Sequence, residues 1–441
     1  MKMKIKINTI ICFILLSCCS AAAQTDIDYW KNGRTKSEGN KINGKEEGYW
    51  VYYHSGGAIS AQGYYSAGKK VGEWKTWHSN GQKQSVYFPQ TGSFTSWHAS
   101  GVLESTGSFK DYKKDGTWKF YYPDGQIEKI CFYEDDLLEG EGREYHPNGK
   151  LAFKGIYYHG ELEGFTTWWY DNEQVEMQGM FRYGLQDSLW SFYYSDGILG
   201  SQGYFKDGQQ EGEWAFYYET GEKWKAGAFK QGLREGKWVA WYEDGKKQRE
   251  GAFLHDKEDG LWFQWYPSGE KQSEGHFCQG EMCKTWYGWY PNKVLNYEID
   301  YDQNKKHGQY TYYWDNGKLH SQGTYKNDQK HGKWKEYSEL GTPLEAGSYE
   351  FDRKCGNWVF YNKYGGVLRK QGFYDDFAHG KWVEYYPDGK KHSQGTYNML
   401  NKTGTWTYYS EKGEIVYQVR YKKGTKKVLK DVKEDLTTGK R

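Results

Sequence analysis

The chain has 441 residues, 37% of them hydrophobic and 19% aromatic, so about half of its apolar content is Phe, Trp and Tyr. Scarce aliphatic residues exclude a set of ordinary globular cores, and the wealth of rings excludes a disordered chain. The formal charge is only +2, and it changes sign if Lys2, Lys4 and Lys6 are removed, which excludes nucleic acid as an expected partner because phosphate binding needs a basic surface.

Residues 1–23 read as an export signal: the three lysines, the apolar run from Ile10 to Leu16, then Ala21, Ala22 and Ala23 before Gln24. The run is too short to span a bilayer. Cleavage after Ala23 is the first expectation, and Leu15-Leu16-Ser17-Cys18 resembles a bacterial lipobox, which implies an acylated Cys18 as the alternative. The expected location is therefore the periplasm, the outer-membrane surface or the medium, with membrane contact only through a lipid anchor. Residues 24–47 follow as an N-terminal cap or linker.

From 48 to 421 the chain repeats every 24 residues. The Trp of Gly-x-Trp marks an anchor column that runs through Trp50, Trp74, Phe94 and Trp118 to Trp382 and Trp406, with a four-residue deletion between 74 and 94. Three residues after the anchor all sixteen units carry an aromatic, from Tyr53 and Trp77 to Tyr409. Fifteen after it every undeleted unit carries another, such as Phe109, Phe229 and Tyr421. Seven after it stands Gly in fourteen of sixteen units, often as Asp-Gly or Asn-Gly, a tight-turn signal because these residues tolerate positive φ. A second turn, as at Lys206-Asp207-Gly208, falls half a period later. Two turns per period leave two strands of about six to eight residues, rich in Trp, Tyr, Phe, Val and Thr, and no room for a helix. The expected fold is all-β: an elongated, single-layer antiparallel meander of about sixteen tandem hairpins. Its rings project from both faces, because the anchor and the position three later have opposite parity. Stability then sums over neighbours, and the Lys-rich residues 422–441 are the expected C-terminal cap or tail.

The segments Gly-Lys-Trp-Val-Glu-Tyr-Tyr-Pro-Asp-Gly-Lys at 380–390 and Gly-Glu-Trp-Ala-Phe-Tyr-Tyr-Glu-Thr-Gly at 212–221 resemble the MORN repeat in its bacterial variant. The resemblance covers 48–421 and implies the same hairpin fold. Bacterial relatives are often labelled antitoxins and others are described as lipid-associated or as scaffolds, so no single activity is implied. Departures from the pattern are Gly142 and Thr166 at the anchor, Glu173 and Lys293 at the turn glycine, and Ser188 and Lys284 two residues before the anchor.

No Gly-rich phosphate loop, HExxH, GxSxG or paired CxxC is present, so no catalytic residue, cofactor or metal is expected. His54, His78, His98 and His146 share the column four after the anchor, in units about 10 Å apart, too far to converge on one zinc. Outside the leader the cysteines are Cys131, Cys278, Cys283 and Cys355. Cys278 and Cys283 flank one turn and suit a disulfide if the register opposes them directly. The candidate binding residues are the consecutive tryptophans Trp238, Trp262 and Trp286 in the anchor column and Trp241, Trp265 and Trp289 three residues on, whose flat rings can grip apolar side chains or sugars. The expected function is an exported, non-enzymatic, protein-binding scaffold of the envelope, with glycan binding and antitoxin-like neutralisation as alternatives.

Overall fold

The structure, a computed structural model, describes residues 24–432. The leader, with Cys18 and the Ala23 cleavage point, and the last nine residues lie outside them. Every element described is a β-strand. The chain divides into two units, Met1–Gly197 and Ile198–Arg441. In each unit strands pair antiparallel with their neighbours in sequence, as expected of a meander of tandem hairpins. The substantial contacts between elements join consecutive strands, and no second layer packs on the sheet among the described residues.

Each complete repeat contributes one eight-residue strand, such as Ile59–Ser66 or Lys223–Lys230, and one nine-residue strand, such as Lys45–Tyr53 or Leu233–Trp241. The first lies at the upper end of the six to eight residues that the turn spacing predicts and the second exceeds it by one, because each longer strand absorbs a bulge. One turn is a two-residue type I′ loop with both central residues at positive φ, as in Asp207 at 49° and Gly208 at 77°. In the other, the Gly57 amide donates to the His54 carbonyl at 2.8 Å and the His54 amide to that of Ala58 at 2.8 Å, with Gly57 left-handed at φ 97°. The bulge residue two before the anchor is also left-handed, with Gly212 at φ 68°. The departures noted in the sequence keep this geometry without the glycine: Glu173, Lys293, Ser188 and Lys284 have φ of 74°, 71°, 62° and 59°. The backbone is set by the neighbouring hairpins, and these side chains bear the strain.

The core is a file of anchor indoles. Trp118, Trp190, Trp214, Trp334, Trp358 and Trp406 are at most 3% exposed. Each seats flat on the backbone of the glycine eleven residues earlier; a Cβ on Gly203, Gly227 or Gly347 would lie inside the indole of Trp214, Trp238 or Trp358. The indole N–H donates to the carbonyl ten residues earlier, at 3.1 Å from Trp50 to Asn40, 3.0 Å from Trp190 to Met180 and 3.1 Å from Trp358 to Ser348. The ring fifteen after the anchor stands edge-on between successive indoles. Phe229 lies 6.0 Å from Trp214 and 5.1 Å from Trp238, at 82° and 89°. Each such pair contributes roughly 0.5–1.5 kcal/mol.

At two positions anchor and seat change together. Where the anchor is Gly142 the seat is Cys131, 1% exposed, and where it is Tyr310 the seat is Ile299, 6% exposed. Where Gln371 takes the seat, Trp382 is only half-buried. After the last anchor the seat is Val419, fully buried, paired with Val428 of the final strand Thr425–Asp431. Residues 24–42, expected as a cap or linker, form strands Gln24–Tyr29 and Thr35–Ile42 that continue the columns: Gly39 seats Trp50, and Trp30 Nε1 donates to the Tyr53 carbonyl at 3.1 Å.

That last bond belongs to a second ladder. The side chain four after the anchor donates to the carbonyl three after the next anchor, from Tyr122 to Tyr145 at 2.7 Å, Tyr242 to Trp265 at 2.8 Å and Tyr386 to Tyr409 at 2.7 Å. Nε2 of His54, His78, His98 and His146 lies 2.9, 2.7, 3.0 and 2.7 Å from the corresponding oxygens. A carbonyl only accepts, so each ring carries its proton on Nε2. The histidine column is thus tyrosine's substitute as a cross-unit donor.

Three substitutions test this account by urea denaturation. Lys284→Gly relieves a left-handed residue with no ion pair among the described residues and should add about 1 kcal/mol of stability. Gly227→Ala, beneath Trp238, should cost about 1–3 kcal/mol. His146→Tyr should be nearly neutral, whereas His146→Phe should cost about 1 kcal/mol because the Trp169 carbonyl loses its donor.

Candidate interaction surface

The six candidate tryptophans separate by column. Trp238, Trp262 and Trp286 are 6%, 4% and 8% exposed, with Phe253 packed between the first two. They are anchors on glycine seats, so they are part of the core and offer no face to a partner. Trp241, Trp265 and Trp289 lie on the opposite face and are half-buried. Phe263 stacks on Trp265 at 5.9 Å and Tyr287 on Trp289 at 6.3 Å. Lysines stand over the same rings: Lys223, Lys247 and Lys271 lie 5.6, 5.6 and 5.2 Å from the centroids of Trp241, Trp265 and Trp289. This stripe mixes rings with charge, since Lys247 and Lys271 are in turn paired with Glu250 and Glu274 at 2.6 and 2.7 Å.

Cys278 and Cys283 form a disulfide with Cα atoms 5.9 Å apart. Direct opposition, the geometry anticipated for a bridge, is absent: Cys278 faces Glu281 and Cys283 faces His276. The bond crosses the hairpin diagonally, and the strong twist of a two-residue turn brings that diagonal within bridging distance. Cys355 is a half-buried free thiol and Cys131 a buried one, and burial pushes both above the ordinary thiol value.

The feature that column reading missed lies in the first unit, around the deletion. In eight of the sixteen repeats the residue two after the anchor is a ring, and such rings stack on the anchor: Tyr52 on Trp50, Phe120 on Trp118 and Phe216 on Trp214, at 5.8–6.0 Å and 23–27°. At Thr76 and Ser96 that ring is missing. The cross-strand partners are small as well, so Thr76, Ser85, Ser96 and Ser105 run as a row of hydroxyls across four consecutive strands. They bond in pairs, Thr76 with Ser85 at 2.6 Å and Ser96 with Ser105 at 2.8 Å.

The deletion shortens the hairpin here to strands Lys83–Tyr87 and Ser93–Trp97, five residues each. Tyr87 takes the seat position opposite both Trp74 and Phe94. Its ring meets Phe109 edge-on at 5.7 Å, replacing the edge-on ring that the deletion removed. Two adjoining hollows result, one of about 490 Å³ reaching from Phe94 to Trp118 and one of about 280 Å³ between Trp74 and Phe94. Glu104 and Gln84 edge the larger hollow; Lys70 and Tyr112 edge the smaller. Lys70 lies 4.4 Å from the Trp74 centroid, and burial holds its ammonium below the ordinary lysine value.

In the second unit Ala240 opens a comparable gap of about 250 Å³, but cations fill its flanks. Arg249 lies 4.1 Å from the Trp262 centroid and Lys225 4.7 Å from that of Phe216. Arg249 is paired with Glu258 at 2.7 Å. The first unit's hollows therefore differ in being floored by hydroxyls and left open above.

The MORN repeat variant model matches nine segments, 70–88, 90–111, 114–135, 138–159, 234–255, 258–279, 306–327, 378–399 and 402–423. No curated protein matches the chain. Similar solved structures include TcdB2-TccC3-Cdc42, 11% identical with a TM-score of 0.14, covering 92% of this chain and 26% of that one. Another is the Photorhabdus luminescens Tc holotoxin pore with a TccC3 mutation, 10% identical with a TM-score of 0.15, covering 90% of this chain and 24% of that one. The chain spans about a quarter of the length of those chains, and scores so low carry no argument about it. The two segments 70–88 and 90–111 are the repeats that meet at the hollows, and they match the same family as the regular units beyond them. From these nine matches and the seat-and-anchor geometry that the intervening units share, the chain belongs to the MORN repeat variant family.

Proposed function

We propose that this protein is an exported, non-catalytic scaffold of the periplasm, outer-membrane surface or medium that binds other proteins along its sheet faces. The observation that carries the reading is how the repeating polar and aromatic groups are used. Anchor indoles, tyrosine and histidine donors and turn residues are spent on holding one hairpin to the next, whereas the hollows at Thr76 and Ser96 leave ring surface without a cover. Uncovered aromatic surface set among polar residues is the usual mark of a protein contact. Tandem repeats enlarge such a surface without adding reactive groups. The Trp241, Trp265 and Trp289 stripe supports a polar contact with a protein better than stacking of sugars, because lysines stand over the rings.

The test is affinity capture on the full-length chain from envelope extracts, identified by mass spectrometry. One protein should be retained in stoichiometric amount, and a Trp265→Ala, Trp289→Ala double variant or removal of whole 24-residue units should weaken its retention in steps. An array of envelope glycans binding the chain, with no protein retained, would replace this reading by the carbohydrate one.

A further inference from the structure

The hollow between Trp74 and Phe94 has a shape that the rest of the chain explains. Where the residue two after the anchor is a ring, it wedges between successive anchors, as Tyr52 does at 6.0 Å from Trp50 and 6.2 Å from Trp74 and Phe216 at 5.8 Å from Trp214 and 6.3 Å from Trp238. The equivalent place after Trp74 belongs to Thr76, whose side chain ends far short of it. The space that the Tyr52 ring fills one repeat earlier is thus a hollow here, bounded by Trp74 and Phe94. The hydroxyl floor is already hydrogen-bonded within itself, which reduces the cost of covering it with an apolar group.

Two features of the rim point the same way. In three repeats a lysine four before the anchor lies over both the anchor and the ring two after it: Lys114 is 4.7 Å from Trp118 and 5.2 Å from Phe120, Lys354 is 4.0 Å from Trp358 and 5.1 Å from Phe360, and Lys402 is 4.0 Å from Trp406 and 5.7 Å from Tyr408. Lys70 has only the first of its two rings, at 4.4 Å, and among the described residues no carboxylate pairs with it. Tyr112 stands at the mouth, 76% exposed, in the second position of a type I′ turn with φ 65°. That position is Gly, Asp or Asn in the other turns except Leu400, because a large side chain is strained there. An exposed ring is held in a costly conformation beside an empty ring site, and the missing hairpin arm leaves the approach clear.

We infer that this hollow receives one aromatic side chain of a partner protein, on a segment with a carboxylate beside the ring that pairs with Lys70. The ring takes the place that Tyr52 fills one repeat earlier, stacked on Trp74 with Tyr112 closing over its edge. The inference rests on the protein-binding reading above and deepens it by naming what the partner presents.

The test uses the full chain and short blocked peptides, followed by saturation-transfer NMR on the peptide ring. Acetyl-Glu-Tyr-Glu-amide should bind saturably, and the same peptide with Leu for Tyr should bind at least about fivefold more weakly. Thr76→Tyr supplies the ring from within; it should raise the urea midpoint, which reports a folded chain, and abolish peptide binding. Lys70→Gln should weaken the acidic peptide about threefold and leave acetyl-Gln-Tyr-Gln-amide unchanged. Undiminished peptide binding to Thr76→Tyr would overturn the inference, as would saturation by a chitin oligosaccharide but by no peptide. An envelope protein still retained by Thr76→Tyr would overturn it while leaving the scaffold reading intact. Peptide binding by a chain that retains no envelope protein would support the ring site and count against the scaffold reading.

Discussion

One contact organises this protein: an indole laid on a bare stretch of backbone, its N–H donated to the next carbonyl along. The glycine seat lets the ring approach the chain within van der Waals distance, and the hydrogen bond satisfies a buried donor that would otherwise cost about 1–3 kcal/mol. The contact links residues about ten apart, so each repeat completes the core of its neighbour. A single sheet can thereby bury large rings without a second layer. At Cys131 with Gly142 and at Ile299 with Tyr310 a smaller anchor is met by a larger seat, whereas Thr166 keeps the glycine seat Gly155 and the Phe153 ring fills the space instead.

The remaining interactions follow from that pitch. Once anchors stack at one per hairpin, a ring four later meets the same carbonyl of the next unit, which is why Tyr, His and even Trp314 serve as donors in one ladder. The turns are held in the same way. The Asn148 and Asn292 side chains donate to the turn carbonyls of Asp171 and Asp315, both at 2.8 Å. With both edges of each hairpin tied, residues such as Glu173 and Lys284 persist in left-handed conformations that an isolated hairpin would not sustain.

Function, on the reading proposed, comes from interrupting this regularity. A four-residue deletion and a run of four small hydroxyl residues leave exposed the ring surface that Tyr52 and Phe120 cover in the flanking repeats. A repeat protein has little else to vary, since substitutions in the ladder cost stability in two neighbouring units.

Sequence alone determined the period, the strand and turn content and the family resemblance, because all depend on spacing along the chain and on local turn chemistry. It also marked Glu173, Lys293, Ser188 and Lys284 as exceptional. It could not rank the aromatic columns. The anchor is a ring in all units but those of Gly142 and Thr166 and the position three later in every one, and only the cross-strand register, which puts a glycine beneath one of them, makes Trp238 core and leaves Trp241 on the other face. The diagonal Cys278–Cys283 bond depends on hairpin twist, and the extra N-terminal hairpin on pairing with residues about ten further along. The hollow beside Thr76 depends on side chains missing from four adjacent strands at once. Such features are properties of neighbours in space, and a column of residues carries no record of which neighbours it will meet.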